Sequence, residues 1–140
     1  MKNLRSVLFV VAVLLSATAA RAQQIPVKAD VPFDFVVGDR AYPAGEYTLK
    51  SALENSGILR LDNTQASIAS FVQSNMCANR AASKETKLVF HRMGARYFLY
   101  QVWVAGSMTG REIPKGRIEV QLARNHETPE VVIVAAVISR

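Results

Sequence analysis

Three side chains in this sequence could do metal or nucleophilic chemistry: His91, His126 and the single cysteine, Cys77. A zinc site needs three or four such ligands close together, yet one histidine falls in an expected strand and the other in an expected loop. The pattern therefore predicts no catalytic residue, no metal site and no cofactor. We expect His91 to be a half-covered strand residue and His126 to be a solvated loop residue.

The sequence also lacks the spacing of known enzyme motifs. Residues 106–110 (GSMTG) miss the Gly-x-Ser-x-Gly pattern of a serine hydrolase by one position, and no glycine-rich phosphate loop is present. A pair of carboxylates could always be chosen from the 11 acidic residues, so choosing one would prove nothing. These observations favour a non-enzymatic protein. The alternative is an enzyme with a dispersed site, whose residues come from distant parts of the sequence.

Cys77 is alone, so it cannot form an intramolecular disulfide. In an oxidising compartment it could pair with a cysteine of another chain. The interpretation that we prefer is a small, partly buried side chain. Its position far from the start of the chain excludes it as the lipidated cysteine of a lipoprotein.

Four aromatic side chains crowd one expected strand: Tyr97, Phe98, Tyr100 and Trp103. In a barrel, the inward half of this set could line an apolar cavity for a ligand. Exposed Trp103 or Tyr97 could instead mark a contact surface. An ordinary packed core is the simplest expectation for a chain of this size.

These aromatics belong to the clearest hairpin of the sequence, residues 87–105. Gly94 and Ala95 suit a two-residue turn with glycine first. Both faces of the two strands are rich in apolar side chains, which predicts a central pair of strands covered on both sides. The expected cross-strand pairs are Arg92 with Tyr97, His91 with Phe98, Phe90 with Leu99, and Val89 with Tyr100.

The remaining apolar segments are short and separated by turn residues, which is typical of an all-β domain. We expect residues 74–86 to be a loop and residues 105–110 to be a turn-rich link. About seven or eight strands result, in a single antiparallel β-sandwich or small barrel. Besides the hairpin, the strands are expected near residues 27–37, 46–50, 58–61, 66–73 and 130–139.

The segment 111–125 has two interpretations. Ile118, Val120 and Leu122 alternate with polar residues, which indicates a strand. Ile118 and Leu122 would also share one face of a helix, and Pro114 and Gly116 stand near a plausible helix start. Periodicity alone leaves this choice open.

Three stretches of the chain resemble a family of short exported β-rich proteins of uncharacterised function from soil bacteria. They are residues 32–38 (PFDFVVG), 42–49 (YPAGEYTL) and 88–105 (LVFHRMGARYFLYQVWVA). The resemblance implies structural motifs without catalytic roles. Family members often carry a charged, Ala- and Leu-rich segment after the central hairpin, and this implies one short helix near residues 116–124.

The first 22 residues are typical of a cleavable secretory signal peptide. Lys2 and Arg5 provide the positive start, residues 7–15 (VLFVVAVLL) form the apolar stretch, and residues 16–22 are mostly small. The apolar stretch is too short to span a membrane. Cleavage between Ala22 and Gln23 would leave residues 23–140 as a single β-rich domain. An earlier cut after Ala19 also fits the pattern.

Cleavage changes the charge of the chain and therefore the partners that it suggests. The signal segment takes three of the 17 basic residues and none of the 11 acidic residues, so the net charge falls from +6 to +3. The remaining charges are scattered, which argues against nucleic acid as a partner. We expect a soluble protein of the periplasm or the medium, without a transmembrane segment after cleavage.

The sequence thus favours an interaction or structural module of the cell envelope, whose partner is an envelope protein or polymer. The first alternative is a small barrel that carries an apolar ligand. The second alternative is the enzyme of dispersed site.

Overall fold

The computed structural model describes residues 25–53 and 56–139. The predicted signal segment and its cleavage point at Ala22 and Gln23 lie outside these residues. The described part of the chain forms eleven strands and one helix, α1 (Arg117–Arg124). The strands are β1 (Val27–Val31), β2 (Phe35–Val37), β3 (Arg40–Tyr42), β4 (Gly45–Ser51), β5 (Ile58–Asn63), β6 (Ile68–Gln73), β7 (Asn75–Ala78), β8 (Lys87–Met93), β9 (Arg96–Trp103), β10 (Thr109–Glu112) and β11 (Glu130–Ile138).

Nine of these strands form one curled, open sheet with the shape of a half-barrel, in the order β3-β2-β9-β8-β11-β1-β4-β5-β6. Strand β9 uses one edge for two partners. It pairs with β2 in parallel at Phe98 and with β10 antiparallel at Gln101 and Val102. Strand β7 extends this side branch by pairing with β10.

The hairpin β8–β9 lies at the middle of the sheet. Gly94, at φ +61°, begins its two-residue turn, as predicted. Three of the four expected cross-strand pairs are confirmed. The fourth is wrong because Tyr100 is an extra residue in a β-bulge, so that Val89 lies opposite Gln101.

Side chains from both halves of the sheet fill its concave side. Tyr47, Leu61 and Phe90 are almost fully enclosed there. The Phe35 ring meets Tyr47 and Phe90 edge-on at centroid distances of 5.0 and 5.5 Å. This core explains the apolar alternation that marks the strands in the sequence.

Two of the motifs that carry the family resemblance have structural roles. The hydroxyl of Tyr47 donates to the Pro43 carbonyl at 2.6 Å. The backbone N–H of Ala44 donates to the Asp34 carboxylate at 2.8 Å, which ties the first motif to the second. These bonds fix the corner between β3 and β4.

Helix α1 lies on the convex side of the sheet and is held at both ends. The Arg117 N–H donates to the Asp39 carboxylate at 2.6 Å, and a Cβ at Gly116 would collide with the Gly38 carbonyl. At the other end, the N–H groups of His126 and Glu127 donate to the last turn in a Schellman arrangement. His126 takes the left-handed conformation that this motif requires, with φ +63°.

The structure confirms the mainly β fold with one short helix near residues 116–124, and it corrects three details. The strands are more numerous than the expected seven or eight. The segments expected to be a loop and a link contain β7 and β10, two four-residue strands that pair with each other and, through β10, with β9. The sheet contains one parallel pairing, β2 with β9.

Candidate functional site

The convex face of β11 carries an exposed row of aliphatic side chains. Val131, Ile133 and Val137 alternate along the strand and are 61, 54 and 61 % exposed. A strand with one solvated face usually alternates apolar and polar residues, whereas β11 is apolar on both faces. An exposed apolar row of this kind often marks a contact surface.

Beside this row lies an open groove of about 560 Å³, which we call the outer groove. Its floor and one wall consist of Val89, Trp103, Val131 and Ile133, and its other wall is the segment 79–85. The wall carries the charges that the floor lacks. Three cations, Arg80, Lys84 and Lys87, and one carboxylate, Glu85, line the groove.

Trp103 is held rigidly at the floor of the outer groove and is only 4 % exposed. Its indole N–H donates to the Gln101 side chain at 3.0 Å. Gln101 in turn donates to the Glu112 carboxylate at 3.0 Å. Gly110 of β10 lies so close to the indole ring that a larger residue would displace it.

The other aromatics of β9, which the sequence suggested as cavity or contact residues, separate onto two faces. Tyr97 lies on the concave side, stacked on Phe33 with ring centroids 3.8 Å apart. Phe98 lies opposite His91 in the sheet and is buried. Tyr100 stacks on the His91 ring at 4.0 Å. Of these four aromatic side chains, only that of Trp103 therefore lines the outer groove.

His91 meets a carboxylate of the helix. Its Nδ1 lies 3.2 Å from Glu119 Oε1, and the side chains are only 11 and 5 % exposed. An enzyme would need such a pair to be open to substrate, but here α1 covers it. The pair anchors the helix to the convex face of the sheet, while His126 lies exposed beyond the helix end.

A half-buried thiol lies near these groups. Burial, followed by the nearby Glu112 carboxylate, raises the pKa of Cys77. Burial and the same carboxylate raise the pKa of Tyr100. Both effects disfavour the anionic form, so the site does not activate Cys77 as a nucleophile.

We therefore expect iodoacetamide to alkylate Cys77 in the folded chain more slowly than it alkylates a free cysteine at about pH 8, because the thiolate is the reactive form. The substitution Glu112→Gln removes one cause of the raised pKa and should speed the reaction. Mass spectrometry of the modified fraction over time gives the rates. Equal rates for the original chain and the variant would show that Glu112 does not act on the thiol.

Metal binding and membrane spanning would each need a recognisable structural feature. Within residues 25–53 and 56–139, no group of three or more His, Cys, Asp or Glu side chains is arranged to hold a metal ion. In the same part of the chain, no helix has the length and apolar character needed to cross a bilayer.

Comparisons of the chain with protein-family models, with curated proteins and with solved structures find no match. The outer groove and its neighbours are therefore the features of the molecule that indicate a function.

The sequence suggested an exposed Trp103 as a contact residue, whereas its side chain is only 4 % exposed, and the outer groove beside it was not predicted. One signal was present in the sequence. The run of residues 131–138 is apolar at consecutive positions, so both faces of that strand must be covered or one must stay bare. The cationic wall gave no such signal, because residues 79–85 become neighbours of β11 only in the folded sheet.

Proposed function

We propose that this chain is an exported, non-enzymatic interaction module of the cell envelope that binds its partner through the outer groove. The observation that carries the proposal is the bare aliphatic row of Val131, Ile133 and Val137 beside a buried tryptophan floor. Protein interfaces characteristically combine an apolar centre with a polar rim. The signal-like first 22 residues support export to the compartment where such a partner would be met.

The charges of the groove indicate the kind of partner. Arg80 and Lys84 stand on the wall of residues 79–85, and Lys87 lies at the start of β8, against the single carboxylate of Glu85. This arrangement suits an envelope protein or polymer that presents an apolar segment flanked by anionic groups. A carrier of apolar ligands inside the barrel is less well supported, because Tyr47, Leu61 and Phe90 occupy the concave side.

The proposal is tested by pulling down partners from envelope extracts with residues 23–140 as bait. The variant Ile133→Glu places a carboxylate in the apolar row, where the original side chain is more than half exposed, so the fold should tolerate it. We expect this variant to lose the partner that the original chain retains. Retention by the original chain should also weaken as salt is raised, because salt screens the cationic wall.

The matched control is Ile58→Glu. Ile58 is also an exposed aliphatic strand residue, but it lies in β5, separated from β11 by β1 and β4. This control should retain the same partner as the original chain. If all three proteins retain the same set of molecules, the outer groove is not the binding site.

A further inference from the structure

A second feature of the fold lies at the two ends of the curled sheet, remote from the outer groove. Strands β3 and β6 end the order of the sheet and approach each other without forming a ladder. Side chains join them instead. The Tyr42 hydroxyl donates to Ser70 Oγ at 2.8 Å, and Arg40 Nη1 donates to the same oxygen at 3.0 Å.

Above this bridge lies an open cleft of about 550 Å³, which we call the seam cleft. One wall is β3 with the turn that precedes it, and the other is the free edge of β6 from residue 69 to residue 73. Residues 113–116 close one end. The cleft is therefore bordered by a strand whose outer edge pairs with no other strand within residues 25–53 and 56–139.

The edge of β6 carries none of the features that normally protect an exposed edge. Natural edge strands are blunted by charges, prolines or bulges, whereas β6 reads IASFVQ, with no charge and no proline. Alternate residues of such a strand direct their N–H and C=O groups away from the paired neighbour. Phe71, 67 % exposed, stands on the same edge strand.

The shape of the seam cleft selects the kind of partner. The wall opposite β6 lies within reach of one side chain, since Tyr42 donates to Ser70 across the seam. A single extended strand needs only about 4.8 Å of width beside its neighbour. The seam cleft therefore suits a single extended segment better than a folded domain.

The charges of the seam cleft favour an acidic group on the incoming segment. Arg40 and Lys115 are exposed on its walls. One carboxylate, Asp39, also lines the cleft and accepts the helix N–H of Arg117, so cations outnumber carboxylates there by two to one. The cleft therefore offers cations to an acidic group on the incoming segment.

We infer that the seam cleft binds an extended acidic peptide segment, which pairs with the free edge of β6 as an added strand and places a carboxylate near Arg40 and Lys115. This mode of binding takes its affinity from main-chain hydrogen bonds and its specificity from side chains at alternate positions. It is a second interaction site, independent of the outer groove.

The test is titration of residues 23–140 with a fluorescent hexapeptide of alternating valine and threonine that ends in aspartate, followed by fluorescence anisotropy and by amide chemical shifts. We expect saturable binding, with shifts concentrated in residues 68–73 and 40–42. Two peptides can carry N-methyl groups on alternate amides, and only one of them should bind, because the other loses the donors that face β6.

Charge reversal at the seam completes the design. The variant Lys115→Glu should weaken binding of the aspartate peptide by about fivefold, the upper range for one exposed ion pair, and should favour a peptide that ends in lysine. The variant Ile133→Glu serves as the control and should bind as the original chain does. It changes only the outer groove.

Three outcomes would overturn the inference. The first is absence of binding up to about millimolar peptide, the weak limit for a specific contact. The second is a set of shifts confined to the outer groove. The third is a concentration-dependent dimer with shifts in β6, which would assign the edge to a second copy of the chain. None of these results bears on the pull-down that tests the outer groove.

Discussion

Replacing Phe90 with alanine is expected to lower the free energy of unfolding by about 3–5 kcal/mol, the usual cost of emptying a phenylalanine site in a core. Phe90 has no exposed surface and lies in β8, an interior strand of the sheet between β9 and β11. Its ring meets Phe33 and Phe35 edge-on at centroid distances of 5.1 and 5.5 Å. Since a domain of this size is stabilised by only about 5–15 kcal/mol, this one change should remove a large share of the total.

Urea denaturation of residues 23–140, followed by circular dichroism, measures this change. The matched control is Phe71→Ala, because Phe71 is 67 % exposed and its truncation should change the free energy of unfolding by no more than about 0.5 kcal/mol. Similar midpoints for the two variants would mean that the concave side is not the core that stabilises the sheet.

The central hairpin shows how much of the fold could be predicted. Its turn at Gly94 and its apolar residues at consecutive positions predicted two neighbouring strands covered on both faces. The structure provides both covers, since Phe90 points to the concave core and Phe98 is buried on the convex side. Local turn chemistry and side-chain alternation are sufficient for such elements, because both are encoded within a few residues.

Features that depend on distant partners could not be predicted in the same way. Strands β7 and β10 are four residues each, too short to show an apolar period, and they form where β10 pairs with both β7 and β9. The bulge at Tyr100 shifts the pairing register between β8 and β9, and no glycine in the sequence marks its position. Residue His126 ends the helix in a conformation that glycine usually supplies.

The candidate sites illustrate the same limit. The sequence suggested the aromatics of β9 as contact residues, and one of them, Trp103, forms part of the floor of the outer groove. The cations of that groove come from residues 79–87 and its aliphatic row from β11. The seam cleft joins β3 with β6, the two ends of the sheet order. Only the curl of the sheet brings these segments together.

The anchor between helix and sheet shows the same dependence. Glutamate has a favourable helix propensity, but the sequence position of Glu119 gives no reason to expect a buried carboxylate. In the fold it is 4 % exposed and lies against His91, whose ring is also stacked on Tyr100. A carboxylate that is enclosed in this way is costly unless it is hydrogen-bonded.

Breaking this contact is the second large effect that we expect. The variant Glu119→Ala should lower the free energy of unfolding by about 1.5–3 kcal/mol, the range for a hydrogen bond that involves a charged group. Because the pair holds α1 on the convex face, amide hydrogens of residues 117–124 should also exchange faster in the variant, while those of β8 change less. Urea denaturation and hydrogen-exchange mass spectrometry give the two readouts.

A double-mutant cycle separates the contact from the packing of the helix. Glu119→Ala and His91→Ala, alone and together, should give a coupling energy of about 1.5–3 kcal/mol. The same cycle on Lys28 and Glu46, an ion pair of 3.0 Å whose side chains are 41 and 50 % exposed, should give no more than about 1 kcal/mol, because solvent screens surface pairs. If the buried pair couples no more strongly than the surface pair, apolar packing alone holds the helix. The histidine would then be free for another role.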